Sequence, residues 1–186
     1  MTQTNDALPR VILISGCARH GKDTVAAIIS DTLKSDGYRV LLAHYADLVK
    51  YVCKTFFGWD GQKDERGRSL LQYVGTDCVR KVNEDFWVKF IVDMLTMFAE
   101  NWDWVVIPDT RFPNEIQVLK DNGFDVTHVR VVRPDYDNGL TDEQQRHPSE
   151  TALNGVTPDV FISNDQDIRR LVEVVTKWIQ EELYET

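Results

Sequence analysis

Apolar positions recur along this chain in two alternating rhythms. Val11-Ile12-Leu13-Ile14, closed by Ser15, is a short continuous apolar run and predicts a buried strand. Val25, Ile28, Ile29, Thr32 and Leu33 then fall at helical spacing, predicting a helix over Lys22 to Asp36 that Gly37 stops. A second strand is expected over Arg39 to Tyr45 and a second helix over Asp47 to Phe57, ending at Gly58. The polar, glycine-rich stretch GWDGQKDERGR, residues 58–68, reads as an exposed loop. Two further helices are expected, Leu70 to Val82 and Phe86 to Glu100, the latter with Trp87, Phe90, Ile91, Met94, Leu95 and Phe98 as a wide apolar stripe. Trp104 to Pro108 predicts a strand, Pro113 to Asn122 a helix terminated by Gly123, and Val126 to Val132 another strand. Pro134 to Pro148 has turn chemistry and many charges, and Asp159 to Ser163 is the last strand. Ile168, Leu171, Val172, Val175, Ile179 and Leu183 mark a closing amphipathic helix.

Strands alternating with helices predict an α/β fold of three layers, a parallel sheet of about five strands with helices on both faces. Ligands in such sheets bind at the carboxyl ends of the strands. The segments after Ser15, Pro108 and Val132 all begin at such ends. A length of 186 residues with 42% hydrophobic content suits a single domain over 1–186. The formal net charge of -9 opposes a broad footprint for a nucleic acid polymer or an anionic membrane, yet a few local cations suffice for a small anion. No apolar run approaches the ~20 residues that span a bilayer, and the opening MTQTNDALPR has no apolar signal core, so a cytoplasmic location is expected. Cys17, Cys53 and Cys78 are odd in number and lack C-x-x-C spacing, which favours reduced thiols, two of them buried, over a disulfide or zinc site.

The chemistry starts at GCARHGKDT, Gly16 to Thr24, placed between the first strand and the first helix. Gly16-x4-Gly21-Lys22 matches the opening of a phosphate-binding loop, in which glycines let consecutive main-chain amides point inward and the helix adds its positive N-terminus. Lys22 would reach the outer phosphates. The strict motif has Ser or Thr directly after the lysine, whereas here Asp23 precedes Thr24. An acid beside a triphosphate is unfavourable on Coulomb grounds unless its side chain turns away to cap the helix or holds magnesium-bound water. A second signal, WVVIPDTR, delivers Asp109 and Arg111 to the same end of the sheet. There an acid could hold magnesium or its water, and an arginine could neutralise a transferring phosphoryl group. Arg80, Arg133, Arg146 and His147 are cations that could converge on one rim, while His44 and His128 read as structural. No His/Cys/carboxylate spacing suggests a tightly held transition metal.

With these pieces the chain resembles the phage-type deoxynucleoside monophosphate kinases, relatives of adenylate kinase within the P-loop fold. The likeness runs from SGCARHGKDT through YADLVK, LLQYVGTDCVR with Trp87, VVIPDTRFPNE, HVRVVRP and HPSE to ISNDQDIRRL. It implies transfer of the terminal phosphoryl of ATP to a deoxynucleoside 5'-monophosphate, with Mg2+ as cofactor and nucleotides as partners. Carried over by position, Gly16, Ala18, Arg19, His20, Gly21, Lys22, Asp23 and Thr24 would bind ATP, with Asn164 bordering its adenine. Thr24 and Asp109 would attend the magnesium. Lys22, Asp109, Arg111 and Arg133 would carry the chemistry. Asp47, Lys50, Arg80, Trp87, Arg146, His147 and Glu150 would shape the acceptor side, Trp87 by stacking on or packing against the base. The helical region about 47–101 would hold the acceptor, and about 134–148 would form a short lid that excludes water. The cytoplasm would be that of a host cell for a chain of phage origin. Two other readings stand beside this one: the same fold acting on a dephospho-coenzyme A-like or phosphomevalonate-like acceptor, and a non-catalytic nucleotide-binding protein. The absence of an N-K-x-D signature weakens a GTPase version of the latter. The apolar stripe of 86–100 suits either the protein's own core or a homodimer contact.

Overall fold

The computed structural model describes residues 8–183. The polar segment before Leu8 and the side chain of Leu183 lie outside the described residues. Among the described residues five strands form one parallel sheet: β1 (Arg10–Ser15), β2 (Val40–Leu42), β3 (Trp104–Ile107), β4 (Val126–Val132) and β5 (Val160–Ser163), in the order β2-β3-β1-β4-β5. The helices between and after them are α1 (Lys22–Ser35), α2 (Tyr45–Phe57), α3 (Glu65–Gln72), α4 (Val79–Val82), α5 (Phe86–Met97), α6 (Pro113–Asp121), α7 (Asp142–Arg146), α8 (Pro148–Thr151) and α9 (Ile168–Trp178).

The continuous apolar run of β1 is explained by its central place. Ile12 lies opposite Val106 of β3 and Thr127 of β4, and Val11 through Ile14 are fully buried. Side chains alternate across a strand, so Ile12 and Ile14 pack with Val25, Ile29 and Leu33 of α1 and Val175 of α9. Val11 and Leu13 pack on the other face with Val88 and Leu95 of α5 and Leu119 of α6. Each such side chain contributes about 1.5–3 kcal/mol, which makes β1 the axis of both cores. A third cluster, Val49, Cys53, Val74 and Trp87, fastens α2, residues 73–78 and α5 together. Among the described residues no helix is long and apolar enough to cross a membrane.

Several boundaries differ from the sequence expectation, each for a tertiary reason. The second strand is confined to Val40–Leu42, because both carboxylate oxygens of Asp109 take the amides of Tyr45 and Ala46, at 3.1 and 2.9 Å, and start α2 there. The stretch 58–68 is not all loop: Asp64 accepts from the Gly67 amide at 2.7 Å and caps α3. The helix expected over 70–82 is broken by a π turn, Tyr73–Cys78, where the Trp87 indole N–H donates to the Gly75 carbonyl at 2.8 Å. The closing helix likewise passes into a π turn over Ile179–Leu183. One thiol, Cys53, is buried rather than two, since Cys17 lies on the glycine loop and Cys78 on the π turn, both exposed.

Candidate active site

Because every strand pair is parallel, the residues that follow the strands gather at one edge of the sheet. Gly16 follows β1, His44 follows β2, Asp109 and Arg111 follow β3, Arg133 follows β4 and Asn164 follows β5. The glycine loop crosses this edge tightly. Gly16 has φ +143°, and a Cβ there would overlap the Val131 carbonyl oxygen of β4. Gly16→Ala is therefore expected to cost about 3 kcal/mol or more from combined backbone strain and overpacking. That corresponds to a fall in Tm of about 6–12 °C for a chain of this length. Gly37→Ala is the control, for it shares a positive φ of +92° but meets nothing within 4 Å. Equal melting temperatures for the two variants would refute this account of the loop.

Within the loop the Lys22 ammonium donates to the carbonyls of Gly16 at 2.7 Å and Cys17 at 2.8 Å. Burial, and then the Arg111 charge, pull its pKa below the ordinary lysine value. The Asp23 side chain turns outward: it is 89% exposed and lies 3.8 Å from His44. Thr24 stands exposed in the first turn of α1. The Asn164 amide donates to the His20 carbonyl at 3.0 Å, tying the end of β5 to the loop. Burial, and then the Lys22 charge, lower the His20 pKa, and its Nδ1 accepts the Arg133 backbone N–H at 3.1 Å. The segment 134–141 rests on this loop: Tyr136 meets the His20 ring edge-on, and Gly139 lies against the Arg19 guanidinium. Arg133 itself stacks on Tyr136, 3.9 Å from the ring centre.

Two cavities meet at Arg111 and Glu150. The larger, about 260 Å³, is lined by Lys50 of α2, Arg80 of α4, Trp87 of α5, and Asp109, Phe112 and Glu115 around the start of α6. Lys63, Arg68, Gln72 and Thr76 add polar groups to its wall. The smaller, about 80 Å³, lies against Gly16, His20 and Thr110. Between them the Glu150 carboxylate accepts from the Ala18 amide at 3.2 Å and pairs with the Arg111 guanidinium, which also donates to the Ser149 carbonyl at 2.9 Å. A loop amide and an arginine thus converge on one anion.

The sequence-predicted residues divide accordingly. Ala18, Lys50, Arg80, Trp87, Asp109, Arg111 and Glu150 line the larger cavity, and Asp47 holds Lys50 at 2.7 Å. Trp87 is 4% exposed and belongs to the third core cluster, so it is as much wall as contact surface. Arg146 stands apart: it is 81% exposed and pairs with Asp142 at 3.7 Å one helical turn away. His147 turns back to the Ser149 hydroxyl at 2.8 Å, and neither of these two residues lines either of the two cavities described above. His128 is buried and structural, as expected, with Nε2 2.7 Å from the Ser15 hydroxyl, and burial lowers its pKa to about 4.

Glu115 carried no role in the sequence reading. It is 4% exposed, its carboxylate accepts the amides of Arg111 and Phe112 at 2.7 and 3.0 Å, and it faces Arg80 at 3.4 Å. Burial pushes its carboxyl up to about 7. A Glu two residues after the Pro that opens a helix was a legible capping signal, but its partner on α4 was not. Burial likewise raises Asp109, against the pull of the α2 amides. Among the described residues no group of three or more His, Cys, Asp or Glu could enclose a metal ion. The oxygen donors at this edge are the exposed Thr24 at the start of α1 and Asp109 after β3, the kind of one or two protein oxygens that Mg2+ takes together with phosphate and water.

Comparison with known proteins bears on the fold and the family. In overall fold the chain is similar to the APS kinase CysC of Mycobacterium tuberculosis in complex with AMPPNP and APS, with a TM-score of 0.54 and 14% identity over 94% of this chain and 99% of that one. A sugar kinase of Janibacter sp. HTCC2649 gives 0.54 and 15% over 94% and 96%. In sequence it is 34% identical to the deoxynucleotide monophosphate kinase of Enterobacteria phage T4, across 56% of this chain and 41% of that protein. The corresponding protein of Escherichia phage RB69 is 30% identical across 59% and 43%, so the chain spans about two fifths of the length of these curated relatives. A putative deoxynucleotide monophosphate kinase of Acanthamoeba polyphaga mimivirus is 28% identical across 85% and 90%. The family profile described as deoxynucleotide monophosphate kinase matches residues 59–175, more than half of the sequence and all of the larger cavity's wall from α3 to α8, and the chain therefore belongs to the deoxynucleotide monophosphate kinase family.

Proposed function

We propose that this chain transfers the terminal phosphoryl group of ATP to a deoxynucleoside 5'-monophosphate, giving ADP and the deoxynucleoside diphosphate. The observation that carries the reading is the anion grip at Arg111 and Ala18, filled here by the Glu150 carboxylate, at the junction of the phosphate loop and the larger cavity. An acceptor phosphate entering from the cavity side and an ATP tail lying in the loop would meet at that grip. An acceptor phosphate oxygen attacks the terminal phosphorus while the bond to the bridging oxygen of ADP breaks. Such transfer needs chiefly alignment and charge neutralisation.

The amides of Gly16 to Gly21 and the Lys22 ammonium would cradle the donor phosphates, the ammonium exchanging two carbonyl partners for phosphate oxygens. Arg111 would stabilise the transferring group. Lys50, held by Asp47, and Arg80, backed by Phe112, would receive the acceptor phosphate, with Trp87 forming the wall beneath the nucleoside. Thr24, and Asp109 through water, would hold Mg2+, which when bound neutralises charge on the donor phosphates. Arg133, with Tyr136, and residues 134–148 would close over the loop and exclude water, so that ATP is not hydrolysed. Leu140 and Gln144 of that segment already line the cavity, whereas Arg146 would reach it only on closure.

The test is direct. The chain is incubated with ATP and Mg2+ and a panel of deoxynucleoside and ribonucleoside monophosphates, with dephospho-coenzyme A and phosphomevalonate as further acceptors, and diphosphate product is measured. Deoxynucleoside diphosphate formation is expected. Turnover only with the last two acceptors, or with none, overturns the reading.

A further inference from the structure

We propose that Glu115 is a positioning residue for the acceptor phosphate, locking the Arg111–Phe112 backbone and the Arg80 guanidinium into one unit beside the cavity; this rests on the phosphotransfer reading above. A helix cap alone would need one bond, from the carboxylate to the Phe112 amide. Glu115 does more. The same oxygen also takes the Arg111 amide, and its other oxygen faces Arg80, which lies 35 residues earlier in the chain. Arg80 is pinned from several sides. Its guanidinium lies 3.7 Å over the Phe112 ring and donates to Asn114, whose amide in turn donates to Asp85 at 2.8 Å and to the Glu84 carbonyl at 3.0 Å.

Burying a carboxylate and a guanidinium is expensive, and apolar groups of equal volume often serve stability better. The side chains of Glu115 and Arg80 are 5% and 9% exposed, yet both residues line the larger cavity. The arrangement makes sense if it presents a guanidinium with fixed orientation to an anion. Displacing a binding group by about 1 Å costs up to about a hundredfold in rate. The groups facing Glu115 are Arg80 from α4, Asp109 and Arg111 from the loop after β3, and Tyr45 from α2, whose phenol donates to the Glu115 backbone carbonyl at 3.4 Å. Ionised, Glu115 opposes the Arg80 charge and holds it. Protonated, it keeps its bonds to the amides and loses the ion pair.

Glu115→Gln imitates the protonated state, and the full chain is assayed with the best acceptor of the panel. At pH 8 the acceptor KM is expected to rise about tenfold or more, with the ATP KM changed by less than about twofold. The ratio of wild-type to variant acceptor kcat/KM should shrink as pH falls below 7, since the wild type acquires the variant's charge state. An unchanged acceptor KM in a folded variant, or equal rises in both KM values, overturns the inference while leaving the kinase reading intact. Should E115Q be too unstable, Arg80→Gln is compared with the R80Q/E115Q double variant, which contains no unpaired buried charge. Equal acceptor KM values support action through Arg80, and a further tenfold loss refutes it. If the wild type transfers to no acceptor, the kinase reading falls by itself, and deoxynucleoside monophosphate Kd values measured for wild type and E115Q decide the positioning role.

Discussion

Lys22→Ala lowers kcat by about 10²–10³-fold and leaves the fold in place, with Tm changed by less than about 5 °C. The expectation follows from where the ammonium sits. It lies at the start of α1, above the glycine loop, with the Gly16 and Cys17 carbonyls as partners at 2.7 and 2.8 Å. Those contacts are local to the loop, so their removal disturbs neither core cluster. Burial already disfavours its charge, as the lowered pKa records, and in such surroundings a positive charge acts on a nearby anion far more strongly than it would in water. Charge on the outer phosphates changes most at the transition state, so the loss is expected in kcat more than in ATP binding. Steady-state kinetics, with thermal melts of both proteins, check it. A variant within about threefold of wild-type kcat would remove Lys22 from the chemistry.

The parts of this site legible in the sequence are those built locally. Four consecutive apolar residues ending in a glycine loop marked both the strand and the loop that follows it, because β1 is buried on both faces and needs no distant partner to be recognised. Asp109 and Arg111 were legible as site residues for the same reason, at the end of a strand. What Asp109 does to α2 was not. Its carboxylate reaches amides more than sixty positions earlier, and nothing in YADLVK shows that the helix starts two residues before Asp47. The π turn at Tyr73–Cys78 is hidden in the same way, since its sequence suits an ordinary helix and the Gly75 carbonyl is claimed by the indole of Trp87 on α5. The scattered cations could not be divided by local spacing: Asp142 and Arg146 stand one turn apart and pair in solvent, whereas Arg80 has Glu84 at the same spacing yet turns inward to Glu115, 35 residues away.

Arg111→Ala is expected to lower kcat by about 10²–10³-fold, and its companion variants separate charge from geometry. The guanidinium bridges the Ser149 carbonyl and the Glu150 carboxylate, so it joins the end of β3 to α8 as well as facing the phosphate loop. Alanine strips Glu150 of its counter-ion and leaves the Ala18 amide, at 3.2 Å, as its remaining hydrogen-bond donor. If that structural link were its whole value, Arg111→Ala combined with Glu150→Gln would recover most of the activity, because no unpaired carboxylate remains. If Arg111 neutralises the transferring phosphoryl group, the double variant stays about as slow as Arg111→Ala. Arg111→Lys recovers only part of the rate, since a lysine supplies the charge without the planar fork that can hold two oxygens at once. On this reading Lys22 and Arg111 act on the same group, and the Arg111 charge already lowers the Lys22 pKa. Residues that act as a unit lose less together than the product of their separate losses. The Lys22→Ala/Arg111→Ala variant should therefore be far less than 10⁴–10⁶-fold impaired, roughly the product of the two single losses. Strict multiplication would mean that the ammonium and the guanidinium serve different steps, and would separate the phosphate loop from the grip at the end of β3.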